Sequence, residues 1–132
     1  MIVLDTSAAL DCIVGVEPAP GLRERVAGAR SLHVPHLFDV EFLSGLRGLL
    51  LGGTLTQDRA HDALGDLNSL RLVRYPILGL VDRVWAKRHT LTAHDAVFVS
   101  LAEVLRCPLV TCDQRLAKAP HDAGVELFVG SS

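Results

Sequence analysis

A surplus of basic charge is missing from this 132-residue chain. Thirteen lysines and arginines face fifteen aspartates and glutamates, for a formal net charge of −2. A protein that wraps a long duplex carries a strongly basic face, because phosphate neutralisation supplies most non-specific affinity. That mode is excluded, so any nucleic acid must be engaged locally or by surfaces that association brings together. Cysteine is scarce too. Cys12, Cys107 and Cys112 are odd in number and lack CxxC spacing. They fit reduced thiols packed as small apolar residues, rather than a disulfide frame or a zinc site. No uncharged apolar stretch approaches the roughly 18 residues that span a bilayer. Met1-Ile2-Val3-Leu4 meets Asp5 too early for a signal peptide. A cytoplasmic protein is expected.

What is present is apolar and periodic. Hydrophobic residues make up 49% of the chain, which argues against disorder and for one continuous core. Short apolar runs at Ile2–Leu4, Leu32–Val34, Arg71–Arg74, Leu109–Thr111 and Glu126–Val129 read as strands. Several are continuous rather than alternating, as strands covered on both faces are. Helical spacing or capping residues predict helices over Ser7–Val14, Leu22–Ala29, Asp39–Leu51, Thr56–Leu70, Leu78–His89, Thr92–Leu105 and Arg115–Ala119. The segment from Thr92 is apolar on nearly every side and should be buried. Strands alternating with helices indicate an α/β fold, a single domain over 1–132 with a mainly parallel sheet of about five strands.

In open parallel sheets, ligands bind outside the carboxyl ends of the strands. Four acids occupy such places. Asp5 ends the first apolar run, Asp113 follows Leu109-Val110-Thr111-Cys112, Asp95 opens the buried helix, and Glu41 lies in the first turn expected after His33-Val34-Pro35-His36. Each alone could be a helix cap, a dipole partner or a solvated surface acid. Together they sit beside the most apolar segments, where isolated carboxylates are expensive to desolvate. Clustered, they would repel one another and hold protons unless a cation neutralised them. An all-oxygen donor set suits Mg²⁺ or Mn²⁺ rather than zinc.

These residues carry a family resemblance. Ile2-Val3-Leu4-Asp5-Thr6-Ser7-Ala8-Ala9-Leu10 resembles the opening strand of PIN-domain nucleases, especially VapC-type toxins of bacterial toxin–antitoxin pairs. Glu41-Phe42-Leu43-Ser44-Gly45-Leu46-Arg47 is similar to their second acidic motif. Leu91-Thr92-Ala93-His94-Asp95-Ala96 through Leu101-Ala102-Glu103 resembles the third, and Leu109-Val110-Thr111-Cys112-Asp113-Gln114-Arg115-Leu116 the fourth. The resemblance implies a PIN fold, divalent-metal-dependent cleavage of RNA, and neutralisation by a cognate antitoxin. Ser44, His94 and Cys112 depart from residues frequent at their positions, but no acid is lost. Asp5 and Asp95 are expected as the principal metal ligands, completed by Glu41 and Asp113. Thr6 and Thr111 could orient the acids.

Other polar residues receive lesser roles. Asp39, two residues from Glu41, should point elsewhere and cap its helix. Asp11 should be solvated, and Glu103, just over two turns beyond Asp95, should lie outside the cluster. His36, His89 and His94 either touch RNA or serve structure, and Arg115 and Lys118 are placed to meet phosphates. Apolar residues over Val40–Leu51, with Gly45 and Gly48, suggest a patch for an antitoxin segment or for a second copy in a homodimer. Three rival readings remain. An aspartyl-nucleophile phosphohydrolase usually needs an acid where Ser7 stands. A receiver domain needs one at the end of its third strand, where Arg71–Arg74 runs into Tyr75-Pro76. A non-catalytic RNA- or protein-binding module on the same fold would have no reason to keep all four acids.

Overall fold

The apolar runs pair side by side. In the computed structural model, which describes residues 1–130, they form β1 (Ile2–Leu4), β2 (Leu32–Pro35), β3 (Leu72–Tyr75), β4 (Leu109–Thr111) and β5 (Val125–Leu127). The sheet order is β3-β2-β1-β4-β5 and every pairing is parallel, with Val3 opposite both His33 and Leu109. Central β1, β2 and β4 are buried along their whole length, while edge strands β3 and β5 are partly open. This matches the continuous apolar character of the central runs. The two edges begin or end one to two residues away from the expected bounds.

Parallel strands need crossovers, and helices supply them. They are α1 (Thr6–Val14), α2 (Leu22–Ala27), α3 (Leu37–Leu51), α4 (Gln57–Ser69), α5 (Val81–Ala86), α6 (Ala93–Leu105) and α7 (Gln114–Lys118). Ala96 through Ala102 of α6 are all buried, as its all-round apolar sequence requires. Phe38 and Phe42 of α3 stack at 5.9 Å between ring centroids and are fully enclosed. Among the described residues no helix is long and apolar enough to cross a membrane. The last two residues of the expected 1–132 domain lie outside the described residues.

Caps fix where helices begin. Thr56 Oγ1 accepts the Arg59 amide at 3.1 Å, starting α4. Replacing an N-cap threonine by alanine typically costs about 1 kcal/mol. Thr56→Ala, remote from the acids, should therefore lower Tm by roughly 3–6 °C in a thermal melt.

Four expectations need correction. Leu78–His89 is not one helix but a 3₁₀ turn, Leu78–Leu80, followed by the short α5. Carbonyls that a further turn would use are taken locally: Arg88 donates to Trp85 O, and the Thr90 and Leu91 amides both donate to Lys87 O. Asp39 does not cap α3, which starts two residues earlier. Its carboxylate accepts Arg74 Nε at 2.7 Å and Nη2 at 2.9 Å, clipping α3 to β3. Glu41 accordingly stands one turn inside α3 rather than in its first turn. Gly45 is filled from within, because a methyl group there would run into Leu10 of α1. Its absence of side chain serves α1–α3 packing, not an outside partner.

Candidate active site

The strand order places a switch point between β1 and β4, since the chain leaves β1 toward β2 and leaves β4 toward β5. Crevices open at such points, at the carboxyl ends of the strands. A cleft of about 530 Å³ lies there. Asp5, Glu41, Asp95 and Asp113 all line it, with Thr6, Ser7, Leu37, Val40, His94 and Arg115. Residues 108 positions apart in the chain thus share one space. Asp11 lies elsewhere and accepts the Ala19 amide at 2.8 Å. Glu103 is outside the cleft as expected, and His36, His89 and Lys118 do not line it.

The capping alternative separates the acids. Asp5 precedes α1, yet its side chain makes no capping bond. Its Oδ2 accepts two hydroxyls instead, from Thr111 at 2.7 Å and from Ser7 at 2.7 Å. Both donate to the same oxygen, so Oδ1 carries neither. Asp113 does cap: its Oδ1 accepts the Arg115 amide at 2.9 Å and the Leu116 amide at 3.4 Å. For Asp95 the cap is Thr92, whose Oγ1 accepts the Asp95 amide at 3.2 Å. Glu41 Oε1 accepts Thr6 Oγ1 at 3.0 Å. Thr6 and Thr111 therefore do orient acids.

Ser7 is the residue that sequence reasoning missed. Its hydroxyl donates to Asp5 and accepts the Cys112 amide at 3.1 Å, stitching α1 to the end of β4. Nothing local announces this, since its partner lies 105 positions away. The neighbouring Cys112 thiol is pushed up to about 11 by burial, then by nearby Asp11 and Asp5. It is a neutral packing group.

The electrostatics bear the mark of crowded carboxylates. Asp5 is only 5% exposed. Burial raises its pKa, the Thr111 and Ser7 hydroxyls oppose that, and the charge of Asp95 adds to it. Burial likewise raises Glu41, against its bond from Thr6, and the charges of Asp5 and Asp95 push the same way. Asp95 is raised by burial and then by Asp113. No lysine or arginine forms an ion pair with Asp5, Glu41 or Asp95 among the described residues.

These donors fit a hard divalent cation. They are all carboxylate oxygens, and bound positive charge would offset both the burial and the mutual repulsion that raise Asp5, Glu41 and Asp95. Among the described residues no three His, Cys, Asp or Glu side chains stand close enough together to hold one metal ion between them. Mg²⁺ keeps several waters and takes one or two carboxylates plus substrate phosphate oxygens, so it does not require three protein ligands.

The model of the PIN domain matches residues 2–122. The chain belongs to the PIN-domain family. It is 44% identical over 117 residues to Ribonuclease VapC9 of Mycobacterium tuberculosis, covering 89% of each chain. Among solved structures, PAE2754 from Pyrobaculum aerophilum superposes with a TM-score of 0.68 at 26% identity, covering 94% of this chain and 81% of that one. VapBC2 from Rickettsia felis, bound to a DNA fragment from its promoter, gives 0.70 at 15% identity over 97% and 99%. The second likeness is one of fold. In this PIN domain the four acids occupy the cleft at the switch point.

Proposed function

We propose that this chain is a divalent-metal-dependent ribonuclease hydrolysing phosphodiester bonds in RNA, the toxin of a toxin–antitoxin pair acting in the cytoplasm. One nuclease domain over 1–132 carries the activity. The observation that carries this reading is Asp5. A carboxylate buried at the heart of the sheet caps no helix, pairs with no cation among the described residues and is fixed through one oxygen by two hydroxyls. A structural role does not account for its desolvation, and a cation-binding role does. The similarity to ribonuclease VapC9 over most of both chains supports RNA as substrate.

The residues divide the work by position. Thr111 and Ser7 fix Asp5, and Thr6 fixes Glu41, where both residues line the cleft. Asp95 is set by the rigid start of α6. Asp113 is pinned to the start of α7, with Arg115 beside it to meet a phosphate. Mg²⁺ or Mn²⁺ held by Asp5 and Asp95, with Glu41 and Asp113 completing the site directly or through water, would supply Lewis-acid stabilisation of charge developing on the phosphate and the leaving oxygen. A cognate antitoxin and a second copy of the chain are the proposed protein partners. Leu78, Val81 and Trp85 are exposed on the 3₁₀ turn and α5, and exposed apolar residues grouped in this way favour association.

Cleavage of single-stranded RNA with Mg²⁺, with Mn²⁺ and with EDTA tests the reading. The wild type should cut only with a cation, and Asp95→Asn should reduce the rate by more than about 100-fold, beyond the 10–100-fold usual when only an outer partner is lost. Cleavage that persists in EDTA would sink the proposal.

A further inference from the structure

Four carboxylates form the floor of the cleft, and the whole chain carries a net charge of −2. Phosphate attraction, the usual source of affinity for nucleic acids, is therefore weak here. Only His94 and Arg115 can bring positive charge to the cleft wall. Beyond what a bound cation and Arg115 would offer the phosphate, contacts to the rest of the nucleotide have to add to the hold on a strand.

His94 is exposed in the first turn of α6 and makes no hydrogen bond or ion pair among the described residues. It stands close enough to Glu41 on α3 and to Asp95 on α6 to act on the charge of both. It lines the cleft together with both residues. It is also the single aromatic ring lining that space. Leu37 and Val40 of α3 line the same space, and Val40 is 63% exposed. The exposed apolar surface of Val40 beside polar groups suits a partner that is flat and apolar on its faces and polar at its edge.

We propose that His94, Leu37 and Val40 form a slot for one unpaired nucleobase of single-stranded RNA, next to the phosphate that the acids address. This deepens the ribonuclease reading and rests on it for the identity of the strand. Bases of single strands splay out and stack on aromatic side chains, histidine included, while their edges find hydrogen-bond partners. The His94 ring offers the face and a ring nitrogen, and the two aliphatic chains offer the opposing apolar contact. Such stacking is sequence-tolerant, so the slot selects an unpaired base over a paired one rather than one letter over another.

Two measurements test it. One is the affinity of a fluorescein-labelled single-stranded RNA of mixed sequence for the cleavage-deficient Asp5→Asn protein, with and without His94→Ala, His94→Phe or Val40→Ser. The other is steady-state cleavage of the same RNA by the His94 variants of the wild type with Mg²⁺. His94→Ala should weaken binding by roughly 5–100-fold, the span that loss of one base–aromatic stack produces. His94→Phe should restore most of it, and Val40→Ser should give a smaller loss. In cleavage, KM should rise by a similar factor with kcat kept. RNA made fully duplex should be indifferent to all three substitutions. Unchanged binding by His94→Ala, no rescue by phenylalanine, an equal loss on duplex, or a fall in kcat alone would each overturn the slot. Binding without any cleavage by the wild type would remove the ribonuclease reading and leave the slot to be judged by the binding series. Absence of binding removes both.

Discussion

Asp5→Asn should give a protein that is more stable than the wild type without metal and inactive with it. The buried carboxyl of Asp5 is raised by desolvation, with Asp95 adding repulsion, and Glu41 and Asp95 are raised as well. A group raised in the folded state holds its proton at pH values where the unfolded chain has released it, so stability falls as pH climbs above the ordinary carboxylate range of about 4. Below that range the penalty is absent. Asparagine removes one of the charges while its carbonyl oxygen can still accept the Thr111 and Ser7 hydroxyls. In EDTA the variant's advantage in Tm should be small near pH 4 and grow to several degrees by pH 8, the scale on which about 1 kcal/mol moves Tm for a domain of this size. Added Mg²⁺ should reverse the order, because an ion that binds only the folded wild type stabilises it by mass action. RNA cleavage should fall by more than about 100-fold, again beyond the loss of an outer partner. A variant less stable than wild type at every pH in EDTA would show that Asp5 is a structural anchor. Stability given up for a charged site is a common trade in enzymes.

The parts of this molecule that were legible are those where one residue type has one physical use. Continuous apolar runs gave the central strands because only a doubly covered strand tolerates them, and β1, β2 and β4 are so covered. Acids at the ends of β1 and β4 were legible as a cluster because parallel strands bring their carboxyl ends together. Roles that depend on partners far along the chain were not. Ser7 reads as an ordinary helix-start serine until β4 arrives 105 residues later to place Cys112 against it. Asp39 reads as a cap until Arg74 arrives from β3. The break after Ala86 is hidden for the same reason. Its periodicity is helical, but Lys87 reaches across to Ser100 of α6, while the Arg88 side chain takes the Trp85 carbonyl locally. Asp113 shows that the two uses are compatible, since one oxygen caps α7 while the residue still lines the cleft.

Glu103→Ala should cost about 2–4 kcal/mol in urea unfolding while leaving the acid cluster assembled, a little below the range for breaking a fully buried pair. Glu103 lies on the same helix as Asp95, but its carboxylate works in the opposite direction, toward the scaffold. Its side chain is 7% exposed and its Oε1 lies 2.7 Å from Lys87 Nζ, itself only 13% exposed. Its Oε2 accepts the Asp122 amide at 2.9 Å, and Lys87 also donates to Ser100 at 3.1 Å. One carboxylate therefore ties the α5–α6 connection and the segment before β5 to the last turn of α6. Burial acts to raise its pKa, but the Lys87 hydrogen bond, the Asp122 amide and the charges of Lys87 and Arg83 outweigh burial and hold it below the ordinary value. Its stabilisation is thus complete above the ordinary carboxylate range and is lost only as pH falls through its lowered value, the reverse of Asp5. Removing it strands a largely desolvated ammonium. Glu103→Gln, which keeps an acceptor for Asp122, should lose less. Lys87→Met combined with Glu103→Leu should recover most of the stability, because replacing both charges with apolar groups removes the desolvation along with the attraction. A double-mutant cycle with no coupling would mean that the pair is an incidental contact. Well below its Tm, Glu103→Ala should still cleave RNA at close to the wild-type rate, because the start of α6 is held separately by Thr92.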